Sequence, residues 1–103
     1  MSIATEIVTM KTVPDITKEV FVNIVETLER DFHSKQEGFI DTELLYNDGS
    51  DDWTMIQHWD SMEELKAASE KMFQDEGASA FVKALDPASV KMNILPQIKV
   101  WRK

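Results

Sequence analysis

Between Gly38 and Ser61 the chain reads GFIDTELLYNDGSDDWTMIQHWDS: two strand-like runs meet at an acidic turn and end on a Trp at the start of a helix. Asp48-Gly49 inside the short polar loop Asn47 to Asp52 is a hairpin signal, because these residues tolerate the tight backbone a turn needs. The flanking runs Phe39 to Tyr46 and Trp53 to Trp59 are then paired strands. Ser61-Met62-Glu63-Glu64 has capping-box form, in which hydroxyl and carboxylate satisfy free N–H groups at a helix start. A hairpin that runs straight into a capped helix leaves few folds open, and the segments on either side narrow them further.

Upstream, Ile3 to Val13 alternates, with Ile3, Thr5, Ile7 and Thr9 on one face and Ala4, Glu6, Val8 and Met10 on the other, which predicts a strand. Pro14 breaks it, and Asp15 or Thr17 is placed to cap a following helix. There Val20, Phe21, Ile24, Val25, Leu28 and Phe32 recur at spacings of three and four, a single apolar stripe with Glu19, Glu26, Glu29 and Arg30 facing water. Downstream, Met62, Leu65, Ala68, Met72 and Phe73 keep helical spacing, and Ala78, Phe81, Val82 and Leu85 resume it before Pro87. Two helical pieces with a break near Gln74 to Gly77 are expected. Ser89 to Trp101 reads as one long strand, and its Pro96 cannot donate to a ladder, which requires an edge position or a bulge.

The order is β-α-β-β-α-β. Right-handed crossovers turn it into an α+β, ferredoxin-like domain: a four-stranded antiparallel sheet in the order 4-1-3-2 with the helices on one face and the Pro96 strand at an edge. The hairpin carries apolar bulk on both sides. Trp53, Met55 and Trp59 are read on one, and Ile40, Leu44, Tyr46 and Ile56 on the other, subject to register. A sheet wet on one side alternates more cleanly, so a second copy is expected to cover the far face and form a homodimeric α/β barrel.

At 103 residues, 43% of them hydrophobic, the whole chain 1–103 is read as a single domain that buries about two-thirds of its unfolded surface. A net charge of −8 repels phosphate backbones and anionic lipid, which argues against nucleic acid and membrane surfaces as partners. The N-terminus lacks the basic and apolar blocks of a signal peptide, and no apolar run approaches the roughly 20 residues that span a bilayer. Zero cysteines exclude disulfides and thiolate chemistry and suit a cytoplasmic location. Asp48, Asp51 and Asp52 do not make a calcium loop, since the twelfth position from Asp48 is Trp59 rather than an acidic residue. Phosphate loops, Ser-His-Asp arrangements and His-x-x-x-His pairs are missing, and no metal site is expected.

The run WTMIQHWDSMEELKAASEKMF, followed by AFVKAL and a β-rich tail, resembles the antibiotic biosynthesis monooxygenase family of dimeric α/β barrels, in which a strand ends in Trp-acidic-Ser and enters the second helix. That likeness covers nearly the whole chain and implies the fold described above. The superfamily includes cofactor-independent monooxygenases acting on aromatic polyketides, and haem-degrading enzymes. The haem-degrading branch shares the Trp at the strand–helix junction, here Trp59, but uses an Asn in the first strand and a His on the second helix as iron ligand. Ile3 to Val13 holds no Asn and Met62 to Leu85 no His, so haem ligation from that helix is not available.

The resemblance implies a monooxygenase without cofactor, acting on a small aromatic or quinol-type substrate in a pocket between helices and sheet. Such chemistry asks the protein for a dry pocket, an orienting donor and a base. Trp59, with Trp53 and Gln57 on its strand face, and Tyr46 are the candidate substrate-binding residues. His58, the one histidine in a predicted strand, is the candidate for proton transfer, although alternation points it away from Trp59 and towards the expected dimer interface. His33 is read as interacting with the C-terminal end of the first helix. The alternative is a non-catalytic dimeric ligand-binding or stress-response protein, with the space beneath the helices filled by Phe21, Phe32, Phe73, Phe81 and Trp59. For either, Ile56→Asp is expected to convert a dimer to monomer at micromolar concentration, because it buries a charge at the interface. Size-exclusion chromatography with light scattering checks it, and a dimeric variant contradicts the assigned face.

Overall fold

The computed structural model describes residues 2–103. Strand β1 (Ala4–Met10) leads to helix α1 (Lys18–Asp31), then the hairpin β2 (Phe39–Asn47) and β3 (Asp52–Trp59), helices α2 (Met62–Met72) and α3 (Ser79–Ala84), and strand β4 (Lys91–Pro96). All pairings are antiparallel in the order β2-β3-β1-β4, with β4 at an edge. This is the α+β, ferredoxin-like sheet expected from the order of elements. Thr17 caps α1 by accepting from Val20 N at 3.2 Å, while Asp15 instead takes a left-handed conformation in the preceding turn. Ser61 caps α2, accepting from Glu64 N at 3.2 Å and donating its hydroxyl to the Glu64 carboxylate at 3.0 Å.

Two parts of the reading are corrected. Leu44 pairs with Met55 and Tyr46 with Trp53, and directly paired residues share a face, so Leu44 and Tyr46 lie on the helix side. A register shift between Phe39 and Asp41 sets this pairing. The outer face carries Ile7, Ile56, Leu45 and Leu95 among threonines and charged residues. Strand β4 ends at Pro96 rather than at Trp101, because Pro96 pairs with Ala4, the first residue of β1, and the neighbouring strand has little more to offer. Beyond it Ile98 and Trp101 are exposed.

Helix side and sheet enclose two separate clusters of buried side chains. One gathers Phe21, Val25 and Leu28 of α1 with Met10, Trp53, Met55 and Phe81; Trp53 is wedged between Phe21 and Tyr46, both at 4.7 Å between ring centres. The other joins Ala4 and Trp59 to Leu65 and Ala68 of α2. Between α2 and α3 the chain breaks into a short 3-10 turn, Glu76–Ala78, capped by the Asp75 carboxylate, which accepts from Gly77 N at 2.7 Å. This break falls where the periodicity lapses, and its Ala78 is buried in the first cluster.

Gly38 turns the chain from α1 into β2 with φ of +82°, and a Cβ there meets Glu64 Cδ and Oε1 at 2.5 Å. Its carbonyl also accepts from Asp60 N at 2.7 Å, so it couples the start of β2 to the α2 cap. Gly38→Ala is therefore expected to cost about 1–3 kcal/mol through backbone strain and loss of the cap. Urea denaturation tests this: the midpoint should fall at unchanged m-value.

Candidate functional site

A cavity of about 300 Å³ lies between the two clusters, lined by α2, α3 and the segment that follows it, by Phe32 and His33, and by β1, β3 and β4. Most of its wall is apolar, supplied by Val8, Met10, Met55, Phe81, Leu85 and Met92 among others. Phe73 is 79% exposed and lies at its rim instead of filling it. Phe21 is buried against Trp53 and Phe81 and takes no part in the wall. The interior is thus open, not plugged by the phenylalanines.

Polar groups converge at one end. Gln57 and Trp59 alternate along β3 onto the helix side, and Glu6 sits directly across from Gln57 in the β1–β3 register. The Trp59 indole N–H donates to Gln57 Oε1 at 3.3 Å; since indole can only donate, this contact fixes which way the amide is turned. Gln57 Nε2 then donates to Thr42 Oγ1 at 3.0 Å and lies 3.1 and 3.3 Å from the two ring nitrogens of His33. The imidazole is boxed by aromatic rings, stacked on Phe39 at 5.4 Å and edge-on to Phe32 and Trp59 at 5.2 and 6.0 Å. Glu29, one helical turn before, accepts from His33 Nδ1. A carboxylate accepts only, so Nδ1 carries the proton and Nε2 is the basic atom of the ring.

Glu6 differs from the rest. It is 93% buried, lines the cavity, and its carboxyl makes no hydrogen bond among the described residues. Since no fully enclosed side-chain oxygen or nitrogen in the described residues lacks a partner, its oxygens border open space. Burial raises its pKa above the usual 4.5, partly offset by attraction to His33.

The antibiotic biosynthesis monooxygenase profile matches residues 4–84, from the first residue of β1 to the last of α3. The chain belongs to the antibiotic biosynthesis monooxygenase family. Among solved structures, a mutant of SnoaB, a cofactor-independent oxygenase from Streptomyces nogalater, superposes with a TM-score of 0.75 over 100% of both chains at 13% identity. A conserved protein from Methanosarcina mazei Go1 reaches 0.68 over 92% of each chain at 19% identity. A protein from Shewanella loihica PV-4 reaches 0.66 over 97% of this chain and 99% of its own at 22% identity. At these identities the likeness is one of fold. A search of curated proteins finds no match.

Within this family member the residues singled out from sequence separate into three places. Trp59 and Gln57 line the cavity. Trp53 and Tyr46 lie on a second, shallower groove of about 330 Å³ beside Lys11 and Lys18, where the Tyr46 hydroxyl donates to Asp51 and its pKa is pushed up to about 12, chiefly by that bond. His58 lies on the opposite sheet face, its Nδ1 2.7 Å from the Asp41 carboxylate, and does not reach the cavity. The histidine that does is His33, which sequence assigned to a helix end; a 3-10 turn, His33–Lys35, carries it under Phe39. No helix of the described residues is long and apolar enough to cross a membrane, and no group of three or more acidic or histidine side chains among them is placed to hold a metal.

Folded Glu6 keeps its proton to higher pH than the unfolded chain does, so between those two values the folded state binds more protons and stability falls as pH rises. Glu6→Gln removes this penalty. Its melting temperature is expected to exceed the wild type's by a few degrees at about pH 8, with the gain shrinking as pH approaches 4.5. A difference that does not change with pH between those limits rules out burial of the charge as the cause.

Proposed function

We propose that the protein is a cofactor-independent monooxygenase that oxidises a small hydroxylated aromatic, of phenol or quinol type, in the cavity beneath α2 and α3. The observation that supports this reading best is an apolar cavity of about 300 Å³ whose polar groups are gathered at one end around a buried, carboxylate-held histidine. Such a volume suits a bicyclic ring system, and low polarity keeps water from a reactive carbanion-like phenolate.

In the proposed reaction the ring lies against Trp59 and Phe32 with its hydroxyl towards His33. That hydroxyl replaces the long Gln57 contact at Nε2 and passes its proton there, while Glu29 stabilises the imidazolium through Nδ1. The phenolate transfers an electron to dioxygen, and recombination forms a carbon–oxygen bond at the ring. The resulting peroxide takes back the proton from His33. Loss of the ring hydrogen at that carbon with cleavage of the O–O bond releases water and leaves a quinone, so phenol plus dioxygen gives quinone plus water. Gln57, anchored by Thr42 and Trp59, serves as the orienting donor. The outer sheet face with Ile7, Ile56, Leu45 and Leu95 is assigned to a homodimer contact, with His58 and Asp41 at that contact rather than in the reaction.

Oxygen uptake with 1-naphthol and with 1,4-dihydroxynaphthalene, corrected for autoxidation, tests the reading. Wild-type protein is expected to accelerate uptake, and His33→Gln to lower kcat by about 10²–10³-fold with a smaller change in KM. His58→Gln should retain wild-type kcat. No acceleration above buffer overturns the proposal, and equal loss in the two histidine variants removes His33 from its role.

A further inference from the structure

Glu6 takes no part in that reaction, yet it is the one acidic side chain on the cavity wall, and nothing in the described residues pairs with it. A buried carboxyl without a hydrogen bond, on a strand face it shares with Ala4, Val8 and Met10, is costly to keep. A Gln or Leu in the same place would pack the strand face with less penalty, so the position invites a functional account. Across the sheet it faces Gln57, whose amide N–H groups donate to Thr42 Oγ1 and His33 Nε2 and whose oxygen accepts from Trp59. The group that can carry an opposite charge beside it is His33, whose Nδ1 already donates to Glu29. No lysine or arginine lines the cavity.

We propose that Glu6 sets the charge of the substrate: the cavity accepts uncharged hydroxylated aromatics and excludes anionic ones such as carboxylates, sulfonates and phosphate esters. This rests on the reading that the cavity takes the aromatic substrate. The physical basis is that two like charges brought within a few ångströms in a poorly solvated space repel far more strongly than they do in water. Rejection by an unpaired charge can outweigh any apolar contact the rings make. Among the described residues His33 and Glu6 are the titratable groups on the wall, with Glu29 bonded to His33 as a further acidic neighbour. Because Glu29 offsets any positive charge on the imidazole, the end of the cavity as a whole does not favour anions.

The test is anaerobic calorimetric titration at about pH 8 with three probes sharing one ring system: 1-naphthol, 1-naphthalenesulfonate and 1-naphthylmethylammonium. Salt at about 0.5 M screens the long-range field of the chain's net charge of −8, leaving the local charge to be read. Wild-type protein is expected to bind the naphthol at least about tenfold tighter than the sulfonate, and the ammonium probe at least about tenfold tighter than the sulfonate. Glu6→Gln is expected to cut both ratios to about threefold or less, mainly by strengthening sulfonate binding. Equal affinities of wild type for the sulfonate and the other two overturn the proposal without requiring the variant. Unchanged ratios in folded Glu6→Gln also overturn it. Naphthol binding with the expected selectivity but no oxygen uptake upholds charge selection and sinks the oxygenase reading alone. Failure of naphthol to bind overturns both.

Discussion

Gln57 is fully buried in the middle of β3, and the arrangement of the helix side follows from the need to satisfy its amide. A buried primary amide without partners is expensive; here Thr42 on the adjacent strand, Trp59 two residues along, and His33 from beyond α1 share the task. These contacts draw the 3-10 turn after α1 down onto the sheet and set the edge-on packing of Trp59 on Phe39 at 5.3 Å. They also prevent the two apolar clusters from merging, since a polar network cannot be replaced by methyl groups from either side. Satisfied in this way, the network specifies one packing where an all-apolar interior would tolerate several.

Much of the scaffold was legible because its signals are local. The Ser61 cap, the lapse in periodicity near Gly77 and the alternation of β3 depend on residues within a few positions of one another, and each maps directly to an observed element. Face assignment in β2 was not legible, because the register shift next to Ile40 is decided by pairing with β3 rather than by its own sequence. The end of β4 likewise depends on where β1 stops.

The site divides along the same line. Trp59 and Gln57 follow from strand alternation once the helix side is known. His33 does not, because its neighbours in sequence describe a helix terminus, whereas its environment comes from Phe39, Gln57 and Trp59 at long range. Glu6 carried a readable signal: it is the single charged residue on the face Ala4, Glu6, Val8, Met10, three members of which are apolar. A lone charge on the core face of a central strand is either paired or exposed to a cavity, and with no hydrogen-bond partner for it among the described residues and the cavity beside it, the second holds here.

His33 and Glu6 illustrate two ways of placing ionisable groups in an apolar interior. His33 is surrounded by aromatic rings, but Glu29 fixes its tautomer, so protonation at Nε2 creates an ion pair rather than an isolated charge. Glu6 has no hydrogen-bonded partner among the described residues, and burial raises its pKa with only a partial offset from His33. The first arrangement is what the proposed proton transfer asks for, because Glu29 lies beside the charge that step would create. The second suits a group that holds a fixed preference over what enters, because its penalty is relieved by a hydrogen-bond donor or a cation and deepened by an anion. Both lie at one cavity end because Gln57 of β3, directly across from Glu6 of β1, also contacts His33 in the turn after α1. The central pairing of this fold therefore supplies the floor of the cavity and its chemical asymmetry together.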